Sequence, residues 1–568
     1  MKSRPYLLPV FGCLTLIACS KEPEVPAPAP AVQPAPAAPQ AAAQAGPGST
    51  AAAQAPAQTK KPALPGGFSL HQFVPKDTIG WVEVESFDAL VAAFQQVAGD
   101  ALPKGAGPTD PEGALALLQM MGLPADRLQR DKPLALAISL ELGQMEPRFT
   151  AMLPMDRAEA TAEALRKMGE GTKVEVHDPY LVISNRAVLD ADEDMAATLS
   201  KVRDEALFAL HVDCARLMDR YGAMMEQGLQ GQLKGAAPAD MQKGAKMGVD
   251  ALLALARGVR SFELRMDVQQ DVFEMTGGVR LRSGSVLTEL GSDQASDLLA
   301  MLRYVDVDRD EFAVGTVRHE ALRFLLDPIM ELADERARSK GQASVWDAWQ
   351  QGLSFFNGDS ADFAMSAGAQ DFGLFVQGLD SARLLPLVER QIEGHMPALP
   401  HMSLMPPRKG ENEVSRFAQY DLVADAGSPA VERLRATFGQ PRLRLRLVGS
   451  GADSMMTLGE GSAFLARSED SAQTLPGDVQ WALEHVQGAS PAFLSRSRVN
   501  GSVSERLLNE WTGGVTPVVE VPKGTPEAWM TSYMAMDRTE WRMGARFDLA
   551  ALRARMQAMA QSGMALPR

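Results

Sequence analysis

The sequence predicts an α+β body built from repeated modules, each an antiparallel hairpin followed by a covering helix. Three observations predict it. Apolar residues alternate at period two in paired runs, as a sheet with one buried face requires. Each pair of runs leads into a segment with apolar residues at helical spacing. That hairpin-then-helix order recurs four times. A chain of 568 residues at 46% apolar content has the material for a sizeable core and several modules.

The elements follow in order. A polar turn with Asp precedes an apolar run read as a strand at four places: Val74 to Asp77 before Ile79 to Val84, Val202 to Asp204 before Ala206 to Val212, Asp308 to Asp310 before Phe312 to Val317, and Leu475 to Asp478 before Val479 to Val486. The hairpins come between and after these runs. Leu134, Leu136, Ile138 and Leu140 turn near Gly143, return through Phe149, Ala151 and Leu153, and enter a helix over Asp156 to Met168. Phe262, Leu264 and Met266 turn at Val268 to Gln270, return through Phe273 to Leu281, and enter Ser285 to Leu290. Phe363 and Met365 pair with Phe372, Leu374 and Val376 before a helix over Asp380 to Ile392. Trp529 to Met536 pairs with Trp541 to Phe547 before a helix from Leu549, where Leu549, Leu552, Met556 and Met559 form one face. Asp156, Asp380 and Asp548 stand where N-caps belong. The module bounds predicted are 67–200, 201–300, 301–469 with an insertion between about 395 and 470, and 470–568. This order resembles that of repeat-built periplasmic proteins without a characterised activity.

The N-terminus reads as an address. Lys2 and Arg4 precede an apolar run from Tyr6 to Ala18, the layout of a signal peptide over residues 1–18. The run is shorter than the ~20 residues that cross a bilayer as a helix. Leu16-Ile17-Ala18-Cys19 resembles the lipobox of bacterial lipoproteins processed by signal peptidase II. The resemblance implies that Cys19 is acylated and becomes the first residue. Ser20, standing where an Asp would favour the inner membrane, implies an outer-membrane address with the body facing the periplasm. More than one acyl chain on Cys19 would exceed the two-signal minimum for stable anchoring. Residues 19–66 collapse to Ala, Pro and Gln. At ~3.1 Å per residue in polyproline II such a tether spans on the order of 140 Å when fully extended.

Charge and cysteines narrow the function. The formal net charge is −15, and removal of Lys2 and Arg4 with the signal peptide deepens it to −17. No basic field draws this chain onto nucleic acid. Cys13 leaves with the signal peptide, Cys19 takes the lipid, and Cys214 stands without a disulfide partner as a small core hydrophobe. Motifs for phosphate loops, Ser-x-x-Lys and Gly-x-Ser-x-Gly nucleophiles, Cys-x-x-Cys and His-Glu-x-x-His are absent from the sequence. The expectation is no catalytic residue, no metal and no cofactor.

Three patterns suggest ligand chemistry, and each also has a bland reading. Asp306, Asp308 and Asp310, like Asp190, Asp192 and Asp194, begin as calcium loops do. Glu311 or Met195 then replaces the Gly of the sharp turn, and Val317 or Lys201 the bidentate Glu. Arg442, Arg444 and Arg446 alternate with leucines and read as a solvated strand face paired with carboxylates. A site for an anion is the alternative. His395, Met396, His401, Met402 and Met405 offer ligands suited to Cu(I) in a Pro-rich loop, with a surface loop as the bland reading. The function expected is that of a non-enzymatic lipoprotein anchored to the outer membrane, binding a protein or cell-wall partner. The alternative is a carrier for an apolar ligand such as a lipid.

Overall fold

The structure is a computed structural model that describes residues 70–98, 125–140, 147–168, 173–185, 192–202, 206–236, 239–269, 271–291, 296–339, 344–368, 370–395, 401–412, 415–459, 474–498 and 527–554. The signal peptide, Cys19, the tether, Asp190, Met396, Met556 and Met559 lie outside them.

A turn of 3-10 helix at Leu70–Phe73 leads to β1 (Thr78–Val84) and α1 (Phe87–Ala98). The first hairpin, β2 (Leu134–Leu140) and β3 (Pro147–Pro154), precedes α2 (Ala158–Met168), β4 (Lys173–His177), β5 (Tyr180–Ser184) and α3 (Glu193–Val202). β6 (Phe208–Val212) connects through α4 (Cys214–Ala236) and α5 (Ala239–Gly258) to β7 (Val259–Gln269), β8 (Val272–Leu281) and α6 (Val286–Leu290). After α7 (Leu298–Leu302), β9 (Glu311–Arg318) connects through α8 (His319–Ser339) and α9 (Val345–Leu353) to β10 (Ser360–Ala367), β11 (Phe372–Gln377) and α10 (Ser381–His395). Next come β12 (Met402–Leu404), β13 (Arg408–Glu411), β14 (Ser415–Ala424), α11 (Pro429–Phe438), β15 (Arg442–Ser450) and β16 (Asp453–Leu458). The chain continues through α12 (Gly477–Val486), β17 (Ala492–Arg498), β18 (Trp529–Met536) and β19 (Glu540–Asp548) into a helix over 549–554.

All nineteen described strands join one sheet, and every pairing is antiparallel. Across the sheet the order is β4, β5, β3, β2, β1, β6, β7, β8, β19, β18, β17, β9, β10, β11, β16, β15, β14. Both β12 and β13 pair with the outer side of β14. Antiparallel sheet with helices is the α+β class.

The four hairpins stand where period-two alternation puts them. The run Val479 to Val486, read from sequence as a strand, is helix α12. Val479, Ala482 and Val486 are its buried residues, the spacing of one helical face, and Pro476 and Asp478 suit a helix start. The strand that fills this place is β17, after the turn. Two of the three expected aspartate caps form: Asp380 accepts from Arg383 N at 3.2 Å and Asp548 from Ala551 N at 3.0 Å. Asp156 stands one residue too early: α2 begins at Ala158, Arg157 at φ 51° holds the cap position, and the Asp156 carboxylate accepts from the Gln129 side chain at 3.0 Å.

Directly opposed residues of antiparallel strands share a face. One face of the central strands therefore carries the row Trp81, His211, Glu263, Gly278, Arg542, Ala535. The other carries Leu210, Leu264, Gly277, Met543, Met534, Phe493. On the first face α7 and α12 bury Leu298, Met301, Val479 and Ala482 against Phe312, Val314, Leu494 and Tyr533. On the second, α2 lays Ala158, Ala162 and Leu165 on Ala151, Leu181 and Ile183, while Leu287 and Leu290 of α6 pack with Val279, Trp541 and Phe324. Near the far edge, buried Glu389 of α10 accepts from Arg416 of β14 at 2.7 and 3.2 Å and pairs with Lys409 of β13 at 2.8 Å. These contacts tie the inserted strands to the body.

Candidate functional site

The central strands β6, β7, β8, β19 and β18 expose chemistry on both faces. On the polar face Trp81 is buried beside His211, which is 3% exposed. His211 Nδ1 lies 3.5 Å from Glu263 Oε1, and Arg280 Nη2 lies 3.5 Å from the same oxygen. Burial is the largest influence on the Glu263 carboxyl and pushes it up. His211, Arg280 and Arg265 together outweigh it and hold the group below the usual carboxylate range. A second pair, between buried His71 and half-buried Glu83, stands one strand away. His71 Nε2 and Glu83 Oε2 are 2.8 Å apart, and Trp81 Nε1 donates to the same oxygen at 3.4 Å.

The opposite wall of this face is aromatic. The Tyr533 ring stacks with His485 at 5.1 Å between centroids, and Trp481 meets it edge-on at 5.3 Å. Gly544 makes this possible: a Cβ there would stand 2.4 Å from the Tyr533 ring. Burial, the largest cause, pushes the Tyr533 phenol up to about 12. At neutral pH the site thus presents an ionised Glu263, protonated Tyr533 and the guanidinium groups of Arg265, Arg280, Arg542 and Arg546. Such groups can pair with the charged and polar groups of a ligand.

The apolar face of the same strands carries Phe208, Leu264, Met266, Phe273, Met275, Met530, Met534, Met543 and Phe547, all half-buried. Met266 faces Met275 and Met534 faces Met543 across the ladder. Phe273 and Phe547 lie 5.8 Å apart.

The residues singled out in the sequence are placed as follows. Arg444 pairs with Asp421 at 2.8 Å, Arg446 donates to Gln419 at 3.3 Å and Arg442 to Gln440 at 2.9 Å. The triad is therefore engaged within the sheet. Asp306 caps its own turn, accepting from Asp308 N at 3.2 Å, and Asp310 pairs with Arg498 at 2.8 Å. Asp192 accepts from Met195 N at 3.0 Å and pairs with Arg216 at 2.9 Å. His401 precedes β12, where Met402 pairs with Ala424, so this end of the Pro-rich loop is strand; Met405 is exposed. Cys214 opens α4. Burial, the largest cause, then Asp213 push its thiol up. Among the described residues no group of three or more His, Cys, Asp or Glu is placed to hold a metal, and no helix is long and apolar enough to cross a membrane. Sequence reading missed the His211–Glu263 contact. Its only local sign is an ionisable residue inside each apolar run, at His211 and Glu263.

No family model matches the chain, and no curated protein matches it. Among solved structures, three crystal forms of TP0453 are similar at a low level. Form I shows 9% identity over 39% of this chain and 82% of that one, with a TM-score of 0.19. Form III shows 10% identity over 45% and 97% with a TM-score of 0.19, and form IV 10% over 46% and 96% with 0.20. The residues themselves must carry the assignment.

Proposed function

We propose that the chain is a non-enzymatic binding body, anchored to the outer membrane through an acylated Cys19 and held off it by the 19–66 tether, facing a protein or cell-wall partner in the periplasm. The observation that carries the reading is the pair of half-open faces on β6, β7, β8, β19 and β18, one charged and aromatic, the other methionine-rich. Both are suited to contact. The test is to titrate the full chain against isolated cell-wall sacculi and membrane-protein fractions, with variants on each face. Saturable binding lost with one face is the expected result. Loss of the cellular phenotype in a folded His211→Ala or Glu263→Ala variant, with partner binding unchanged, would instead assign an enzyme.

The methionine face favours a second reading, a carrier for an apolar ligand such as a lipid, since flexible thioethers adapt to alkyl chains. Lipid recovered by mass spectrometry from the purified chain, and lost in Met275→Glu, is the result it requires.

We also read the body as four repeated hairpin-and-helix modules at the bounds given above. Two patterns support this. The order β1, β2, β3, β5, β4 is matched by β9, β10, β11, β16, β15. Thr276 opposes Arg265 and Gly544 opposes Tyr533, each eleven residues back, and Thr276 and Gly544 face one another where β8 meets β19. Co-expressed halves 67–300 and 301–568 should reassemble. Failure of the halves to associate would count against the modular reading.

A further inference from the structure

The polar face holds two arginines that stand outside its ion pairs. Most arginines of this sheet are committed: Arg444 to Asp421, Arg496 to Asp478, Arg546 to Glu274. Arg265 and Arg542 are different. Among the described residues the Arg265 side chain makes neither a hydrogen bond nor an ion pair, and the Arg542 side chain makes a single 3.4 Å contact to the Gln487 carbonyl. In a chain of net charge −15 carboxylates are plentiful, so two half-buried guanidinium groups with none in hydrogen-bond reach are unusual; Arg265 acts on Glu263 and Arg542 on Asp537 only at longer range.

Their placement is set by register. Arg265 on β7 opposes Thr276 of β8, and Arg542 on β19 opposes Gly278 of β8, so they stand on one face either side of the same strand. Two strand spacings and a two-residue offset along β8 put their backbones about 12 Å apart, within joint reach of an object lying over β8. The floor between them is Thr276, flanked by Gly278, which the Glu540 carboxylate covers, and on β19 by Gly544, which the Tyr533 ring covers. Arg542 acts electrostatically on the Tyr533 phenol, which places its charge toward the aromatic wall, and Arg265 acts on Glu263. The acids of the floor are Glu263, held by His211 and Arg280, Glu274, held by Arg546, and Glu540, whose carboxylate lies over Gly278.

We infer that the surface over Thr276 of β8 is an oxyanion site, in which Arg265 and Arg542 fork onto a phosphate or carboxylate group of the ligand while the Tyr533 and His485 rings flank its body. Guanidinium groups suit this because their planar donors match both oxyanions. Glu540 sets the selectivity: it repels an anion at the Gly278 end and confines it to the space over Thr276. The inference deepens the binding reading but does not depend on the tether or on the identity of the partner.

The test is calorimetric titration of the purified full chain with inorganic pyrophosphate and, separately, with citrate. Saturable binding is expected, weakened at least fivefold by Arg265→Gln and by Arg542→Gln, abolished by the pair, and tightened by Glu540→Gln. Arg444→Gln, which removes a paired arginine on a distant strand, should leave it unchanged. Preference for pyrophosphate assigns a phosphate-bearing ligand and preference for citrate a carboxylate-bearing one. Should Arg265→Gln misfold, Arg265→Lys keeps the charge and loses the fork, and an intermediate affinity is expected. Absence of binding, or equal weakening by Arg444→Gln, overturns the site. If sacculus or membrane-protein binding persists when pyrophosphate binding is absent, the oxyanion site fails and the broader binding reading stands.

Discussion

Replacing Glu389 by alanine removes the acceptor that joins α10 to β13 and β14. The Glu389 side chain is 3% exposed and takes two hydrogen bonds from Arg416 and one ion pair from Lys409. Hydrogen bonds to charged groups contribute about 1.5–3 kcal/mol each. The sum is not the expected loss, because the Arg416 and Lys409 side chains are 31% and 40% exposed and regain water, and Lys409 keeps Glu393 at 2.6 Å. About 2–3 kcal/mol is expected, which converts to roughly 30- to 150-fold in a local opening equilibrium. Hydrogen exchange reads it directly: amides of Lys409 to Glu411 should lose that much protection while the β7 and β8 amides keep theirs. The pH arm has a definite sign. Burial is the largest influence on Glu389 and opposes ionisation, but Arg416 and Lys409 hold its carboxyl below the usual range. Its contribution is therefore complete above the unfolded value of ~4.3 and lost as pH falls through the lower folded value. Wild-type β13 should open on acidification below about pH 4, and the Glu389→Gln variant should have lost most of that dependence. Unchanged β13 protection in Glu389→Ala would refute the reasoning, as would uniform loss over the whole sheet.

Further outcomes are expected. Cys19→Ser should release the body from the membrane fraction, as cell fractionation reads; retention would reject the anchor. Gly291→Ala should destabilise by about 1–3 kcal/mol in urea unfolding, because a Cβ there stands 2.5 Å from the backbone carbon of Asp537; a neutral result would place that turn elsewhere. Cys214 should react with iodoacetamide more slowly at pH 8 than a free cysteine peptide, since burial and Asp213 disfavour its thiolate. Ultraviolet titration should show Tyr533 ionising only near pH 12, and a normal midpoint near 10 would mean that its ring is solvated.

The sequence by itself determined the local grammar. Alternation at Leu134 to Leu140 and at Trp529 to Met536 identified half-buried strands, and Asp380 and Asp548 marked helix starts, because side-chain direction and capping act over a few residues. Where local signals competed, it did worse. Val479 to Val486 carries enough apolar residues to read as a strand, and its helical spacing became decisive only with Val479, Ala482 and Val486 buried against the sheet. Asp156 missed the cap because α2 begins at Ala158, one residue later than the pattern put it. The tertiary structure alone decided which strands are neighbours. Alternation says which residues share a face of one strand but not which strand lies beside it, so the seam joining β8 to β19, some 268 residues apart, was invisible. The same holds for the candidate site. Arg265 and Arg542 differ from Arg444 only in having no acidic partner in hydrogen-bond reach, and that is a property of register across three strands.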